Sequence, residues 1–520
     1  MPRKTGLLVL GLAPVFAVFW TWLLRGASGP YWLGSDFDPD YPYLLNSLAL
    51  ANGLDIGHAD HPGASLQWLG ALVLRVVHLF RAEELTTDVL SHPEFYLQAI
   101  NWTLVVMFAA ALTMGTIVLY RLTKSLGAAI LIPATLLLST TAREALTRVN
   151  PEPLLLSLGL LLTIGGLVRL HDKGGIKWPI LFGLIGGIGM ALKLTFLPLF
   201  LLPLILLETF RHRGLYLGIS AAVFLLLAAN PLMSPGVFLG FAEDLALQQG
   251  YGEAGATSGF AVFDAVVGST HLLGQLILEE TAVVMLLVTF ALLAFRRYRQ
   301  WKKDGQGASP ELRLALAVSV VLLLQFVLTA FGPRTELRYL LPALTTIPAM
   351  AYLCWRWVPD WKDRRVLAPA GLAAGLFAIS LPLSLVQAKE EHQYWLEASA
   401  FLQRSQVQGT TIHIYRCSDP TFALAFGNLY ARHHFSRELA ELHPGTVYFN
   451  RFDGTLVRDF TAQPAKLDEL FTRNRVLFIR GSHDKPMRFP EEESLPLQAR
   501  VFFQGTRETI LILEPKHRDS

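Results

Sequence analysis

The chain has 520 residues, 52% of them hydrophobic and only 16% charged, with a mean hydropathy of +0.41. These values exclude an ordinary soluble globular protein and mark a polytopic membrane protein. The net charge of +3 is small and comes from basic residues scattered over many connections, which excludes nucleic acid as a partner; the two cysteines, Cys354 and Cys417, imply no disulfide framework.

The first apolar run, Gly6 to Leu24, follows Pro2-Arg3-Lys4 and lacks a small-residue cleavage site, so it reads as an uncleaved membrane helix. Further runs near residues 95 to 120, 126 to 140, 153 to 170, 178 to 194, 195 to 208, 214 to 232, 270 to 295, 311 to 331, 338 to 355 and 367 to 386 bring the expected spans to about eleven, each facing a hydrocarbon core of roughly 30 Å. Basic groups fall on every second connection: Arg3/Lys4, Arg121/Lys124, Lys173/Lys177, Arg211/Arg213, Arg296 to Lys303, and Lys362/Arg364/Arg365. The positive-inside rule places these loops and the N-terminus in the cytoplasm. The alternate loops, 25 to 94 and 233 to 269, are then outside, and so is everything after Val386.

Within the loop 25–94, Tyr43 to Ala51 and Ser65 to Phe80 have helical apolar periodicity broken by polar residues, as in helices lying along a membrane interface. Beyond Val386 the composition turns charged and mixed. Strand-like runs at Thr411 to Tyr415, Thr446 to Phe449, Arg475 to Ile479, Arg500 to Phe503 and Thr509 to Leu513 alternate with helical stretches such as Tyr394 to Arg404 and Ala465 to Thr472. The expected fold class is therefore mainly α, a polytopic helical membrane domain over residues 1–390 with a soluble α/β domain over 391–520 on the outer face.

Chemistry is expected first at Asp36-Phe37-Asp38-Pro39-Asp40-Tyr41. Like charges repel, so three carboxylates this close call for a cation, a metal or a reaction. In an extended segment Asp36, Asp38 and Asp40 share one face and can accept a proton from a nucleophile or hold a divalent ion. Asp40 has an equally ordinary use as a cap of the following helix. His58, Asp60 and His61 follow in the same loop; without a cysteine their spacing is weak evidence for zinc and suits phosphate binding or support.

A second group is cationic: Lys193 at the end of an apolar helix, and Arg334 and Arg338 beside Tyr339 at the start of another. Ionisable groups at membrane depth mark a ligand path or a paired site, and the ordinary alternative is snorkelling to lipid headgroups. Glu152 stands on the loop before Pro153 with Arg143, Glu144, Arg148 and Asn150. Acids and cations on one membrane face fit group transfer from a lipid phosphate: the cations hold phosphate while a carboxylate takes a proton from the attacking hydroxyl or amine.

The run Asp36 to Asn46, with Asp60-His61-Pro62-Gly63, Asn150-Pro151-Glu152-Pro153-Leu154 and Arg338-Tyr339-Leu340-Leu341-Pro342 in that order, resembles the GT-C class of multi-spanning glycosyltransferases. The protein O-mannosyltransferase and aminoarabinose-transferase-like enzymes are the nearest kin suggested. The resemblance covers about the first 390 residues in architecture and rests on the order of short motifs. It implies an inverting transferase that uses a polyprenyl-phosphate sugar as donor and a glycan, lipid or protein as acceptor, in a bacterial cytoplasmic membrane. It implies Asp38 as base, with Asp36 and Asp40 as alternates, and His61, Lys193, Arg338, Arg334 and Tyr339 around the donor phosphate, supported by His58, Asp60 and Glu152. The chain departs from the pattern where Pro39-Asp40 replaces Asp-Glu and where Pro62-Gly63 replaces Pro-Pro. No metal is expected to be obligatory, although Asp36, Asp38 and Asp40 suit Mg²⁺ or Mn²⁺.

Two other classes compete. A transporter or flippase for a lipid-linked glycan would place its ionisable sites near mid-membrane and show repeated halves. A non-catalytic assembly subunit would tolerate loss of the acids.

Overall fold

The computed structural model describes residues 11–33, 40–58, 63–172, 175–232, 262–304, 309–330, 336–357 and, in shorter stretches, parts of 382–515. By internal packing the chain divides into two compact units. One comprises Met1–Leu24, Ala59–Leu66 and Asn101–Ser384, the other Arg25–His58, Gln67–Ile100 and Leu385–Ser520.

Five described helices are long and apolar enough to cross a membrane: Pro93–Thr123, Pro151–His171, Phe210–Leu227, Thr281–Lys303 and Pro310–Ala330. The pair Leu337–Leu344 and Ile347–Trp357, bent by 49°, makes a sixth span if taken as one. At that bend the hydroxyls of Thr345 and Thr346 donate back to Pro342 O and Ala343 O, each at 2.6 Å, a pattern that bends helices. Shorter apolar helices at Leu12–Ser28, Leu126–Leu138, Lys177–Leu192 and Leu194–Leu206 lie on four more of the expected spans, and 367 to 386 falls almost wholly outside the described residues. So many apolar helices make the chain an integral multi-pass membrane protein.

In the first unit Pro151–His171 is the most enclosed span, with 83% of its apolar window buried. Pro151 stands at its start, where a missing N–H costs nothing. The expected span 270 to 295 is divided: one helix, Val262–Glu279, ends and another, Thr281–Asp304, begins at Glu280. The Glu280 side chain is buried, and its carboxylate accepts from Ser139 Oγ at 2.9 Å, Thr141 N at 2.8 Å and Thr141 Oγ1 at 2.8 Å. It therefore satisfies backbone donors at the start of the short helix Thr140–Ala145, which is why a carboxylate is tolerated there.

The second unit contains a seven-stranded mixed sheet. Its strands are β1 Thr410–Ile414, β2 Val447–Asn450, β3 Thr455–Arg458, β4 Pro464–Ala465, β5 Leu477–Ser482, β6 Leu497–Gln504 and β7 Glu508–Pro515, in the order β4-β3-β2-β1-β5-β7-β6. β1 runs parallel to both neighbours, with Ile412 opposite Val447 and Ile479, and the remaining pairs are antiparallel. Helix Pro420–Tyr430 lies in the β1 to β2 crossover; Asp419 starts it by accepting from Thr421 N at 2.8 Å and Phe422 N at 3.0 Å.

That helix packs on Asp40–Ala51, every residue of which is buried. This part of the expected interfacial region is thus enclosed by protein. The close approach depends on Gly427, where an added Cβ would meet the Tyr41 carbonyl at 2.9 Å. Asn46 fastens the packing: its Nδ2 donates to Pro42 O at 2.7 Å and Tyr430 O at 3.1 Å, while its Oδ1 accepts from Gly57 N at 2.8 Å and His58 N at 3.1 Å. Helix Ala64–His78, in contrast, exposes Trp68, Leu72 and Val76 in one stripe at four-residue spacing, the face an interfacial helix presents to lipid.

Candidate functional site

The cationic group assembles inside the first unit. Helix Lys177–Leu192 stops at Lys193, whose backbone turns extended before a short 3-10 turn, Leu194–Phe196. Gly189 permits this, since a Cβ there would strike the Phe196 ring. Lys193 Nζ then reaches Glu152 Oε1 at 2.5 Å, and both side chains are buried. Glu152 sits in the first turn of Pro151–His171, where the helix dipole favours an anion. Lys193 Nζ also lies 4.9 Å from the centroid of the Tyr339 ring, and the Arg338 guanidinium lies 5.3 Å from the same ring. One aromatic ring therefore stands beside both cations.

The two cations differ in availability. Lys193 is matched by Glu152 in a buried ion pair, the paired-site arrangement expected of an ionisable group at membrane depth. Arg338 Nε lies 2.5 Å from Glu336 Oε2, but those side chains are 38% and 44% exposed. Such half-exposed pairs are worth about 0–1 kcal/mol, little enough for a phosphate offering paired oxygens to displace. The turn is held from below by buried Gln325, whose Nε2 donates to Tyr339 O at 2.7 Å.

Gly63 and Ser65 lie beside this helix terminus. Gly63, at φ +64°, donates its N–H to Leu192 O at 3.1 Å, and Ser65 Oγ donates to Ile188 O at 2.8 Å. Only glycine adopts that φ readily, which accounts for the Pro-Gly departure at 62–63. Asp36, Asp38, Asp60, His61 and Arg334 themselves lie outside the described residues.

In the second unit Asp40 is fully buried in the first turn of Asp40–Ala51, the position open to a capping acid. His58 is buried edge-on to Tyr43 at 5.1 Å and Tyr430 at 5.2 Å, and its carbonyl accepts from Gln67 Nε2 at 2.8 Å. Its setting is that of a packed core histidine. Burial, and then the Glu94 carboxylate, push the Tyr41 hydroxyl well above its ordinary pKa, so it remains a donor.

Among the described residues one group, Glu83, Asp88 and His92, brings metal-ligand types together. It does not fit a metal. Asp88 already accepts from Arg81 Nη2 at 2.5 Å, Arg81 Nε at 2.9 Å and the Tyr96 hydroxyl at 2.5 Å, so a cation occupies the place an ion would take. Sequence reasoning missed Gln325, Glu280 and Glu94. The first two carried a readable signal, a lone polar or acidic residue within an apolar run.

No protein-family model matches the chain, and no curated protein matches it in sequence at a significant level. Solved structures do resemble it. ArnT from Cupriavidus metallidurans in the apo state superposes with a TM-score of 0.54 at 14% identity over 98% of each chain. The same protein bound to undecaprenyl phosphate gives 0.50 at 13% identity, over 96% of this chain and 97% of that one. ArnT is an aminoarabinose transferase of the GT-C class, and the likeness runs nearly end to end, the tail included. The chain has the GT-C glycosyltransferase fold.

Proposed function

We propose that the chain is a glycosyltransferase that moves a sugar from a polyprenyl-phosphate donor to an acceptor at the outer face of a bacterial cytoplasmic membrane. The observation that carries this reading is the end-to-end likeness to ArnT, a protein crystallised with undecaprenyl phosphate. The Lys193–Glu152 and Arg338–Tyr339 group supports it with a cation suited to a lipid phosphate.

In the proposed reaction an acceptor hydroxyl or amine attacks the anomeric carbon from the face opposite the phosphate. The new bond forms with inversion as the carbon to phosphate-oxygen bond breaks, and polyprenyl phosphate leaves. Asp38 takes the acceptor proton, with Asp36 and Asp40 as its neighbours in sequence. Negative charge grows on the departing phosphate, so Arg338, aided by His61 and Arg334, stabilises the transition state more than the bound donor. Tyr339 orients the guanidinium. Lys193, paired with Glu152 beside the same Tyr339 ring, adds its positive charge on the donor-phosphate side. Asp36 and Asp38 suit Mg²⁺ or Mn²⁺, but a carboxylate base beside cationic side chains works without either.

Purified protein in detergent, given a panel of polyprenyl-phosphate sugars with glycan and lipid acceptors, tests the reading by mass spectrometry. A glycosylated acceptor with stoichiometric polyprenyl phosphate is expected. Movement of an intact donor across proteoliposomes without hydrolysis or transfer would favour the flippase instead.

A further inference from the structure

Glu94 stands at the second position of helix Pro93–Thr123, and its carboxylate accepts three hydrogen bonds. Oε2 accepts from Tyr31 N at 2.8 Å; Oε1 accepts from Trp32 N at 3.2 Å and from the Tyr41 hydroxyl at 2.9 Å. The donors come from two sides of one short stretch of chain. Tyr31 and Trp32 precede the acidic cluster, Tyr41 ends it, and Asp36, Asp38 and Asp40 all lie between.

We propose that Glu94 is a positioning residue for the acidic cluster, fastening both flanks of the chain that bears the carboxylates. The inference rests on assigning that cluster to acceptor activation.

Both flanks are seated as well as bonded. On the first side Leu33 packs with Tyr394 and Ala398, Trp32 and Trp395 border that cluster, and Gly29, at φ +71°, leaves room for the Trp395 ring. The Arg25 guanidinium lies 4.1 Å from the centroid of the Tyr31 ring. On the second side Tyr41 is buried against Gly427. Glu94 is the one group among these that touches both sides. Burial disfavours the charged form of Glu94 and the three hydrogen bonds oppose that effect, because a carboxylate offers acceptors and all three partners donate to it. An amide would turn one of its oxygens into a donor. Either Tyr31 N or Trp32 N, which can only donate, would then face an amide N–H, while the Tyr41 hydroxyl can turn to accept, and a mismatched polar group costs about 1–3 kcal/mol. Fastening matters to chemistry because misplacing a reacting group by about 1 Å can cost about a hundredfold in rate.

The test joins hydrogen exchange to turnover in the full-length protein, for wild type, Glu94→Gln, Glu94→Asp and Tyr41→Phe. In Glu94→Gln, exchange at Tyr31 and Trp32 is expected to rise about 5- to 150-fold, as a loss of 1–3 kcal/mol implies, while Ser436–Leu442 is unchanged. The kcat is expected to fall about 10- to 100-fold with the donor KM within about twofold. Tyr41→Phe should show a smaller change of the same kind, and Glu94→Asp, which keeps two acceptors on a shorter stem, should recover part of the loss. Unchanged exchange at Tyr31 and Trp32 would overturn the proposal, and so would faster exchange with undiminished kcat. Exchange rising throughout the chain would also overturn it, by assigning Glu94 a general stabilising role. If wild type transfers no sugar from any donor, the glycosyltransferase reading fails, while the exchange measurement still decides whether Glu94 fastens the two flanks.

Discussion

Lys193 Nζ lies 2.5 Å from Glu152 Oε1, with both side chains buried in the helical unit. A buried ion pair of this kind is weak evidence for stability as such, but removing one partner leaves a charge without its match. Glu152→Gln is expected to cost about 3–5 kcal/mol, and the double variant Glu152→Gln/Lys193→Met to recover much of it. Thermal inactivation in detergent checks this as a double-mutant cycle. Additive losses would show that the two side chains do not act as a pair.

Arg338 differs: its ion-pair partner, Glu336, is on its own turn and half exposed, although its charge also reaches the buried Glu152. Arg338→Ala is expected to leave thermal stability nearly unchanged, because surface pairs contribute about 0–1 kcal/mol. If it holds the donor phosphate, kcat/KM should fall about tenfold to a hundredfold, the equivalent of about 1.5–3 kcal/mol for a charged hydrogen bond. A loss of stability with normal turnover would return Arg338 to a structural role.

Gly427 lies against the backbone of Tyr41. Gly427→Val should push helix Pro420–Tyr430 off Asp40–Ala51 and destabilise that packing by about 1–3 kcal/mol. Limited proteolysis reads the result as faster cleavage in residues 40–58. An unchanged digestion pattern would mean that the tail does not cover the loop helix in solution.

Asp88 supplies a pH dependence. The hydrogen bonds from Arg81 foremost, then that of the Tyr96 hydroxyl, outweigh burial and hold its carboxyl well below the usual carboxylate range. A depressed native pKa adds stability that is fully present above the unfolded value of about 3.9 and is lost as pH falls towards the native one. Melting curves from pH 7 to 3 should therefore show an acid-side decline below about pH 4 that is shallower in Asp88→Asn. Equal acid limbs would exclude the carboxylate as its source.

Much of this was legible in the sequence, and the limits have physical causes. Hydrophobic runs identify spans because the bilayer demands them, yet Glu280 divides one run, since its donors Ser139 and Thr141 arrive from a distant helix. Five of the seven strands fall on runs with strand character; β3 and β4 are short and carry little pattern. Asp419-Pro420 is a readable helix start. Lys193 stood out as a cation, but nothing local announces that Glu152 neutralises it. Asp40–Ala51 has the polar interruptions of a surface helix because Asn46 needs partners; one of them, Tyr430, is 384 residues away. Glu94 gave no signal at all, since its meaning lies in joining Tyr31 to Tyr41.

The most direct measurement of the central claim is release of free polyprenyl phosphate from a polyprenyl-phosphate sugar, comparing wild type with Asp38→Asn. That change is nearly isosteric and removes only the proton acceptor. Release by wild type and none by the variant, with both proteins equally folded and membrane-inserted, is the predicted result. Equal release from both, or donor binding without release in either, would contradict the account.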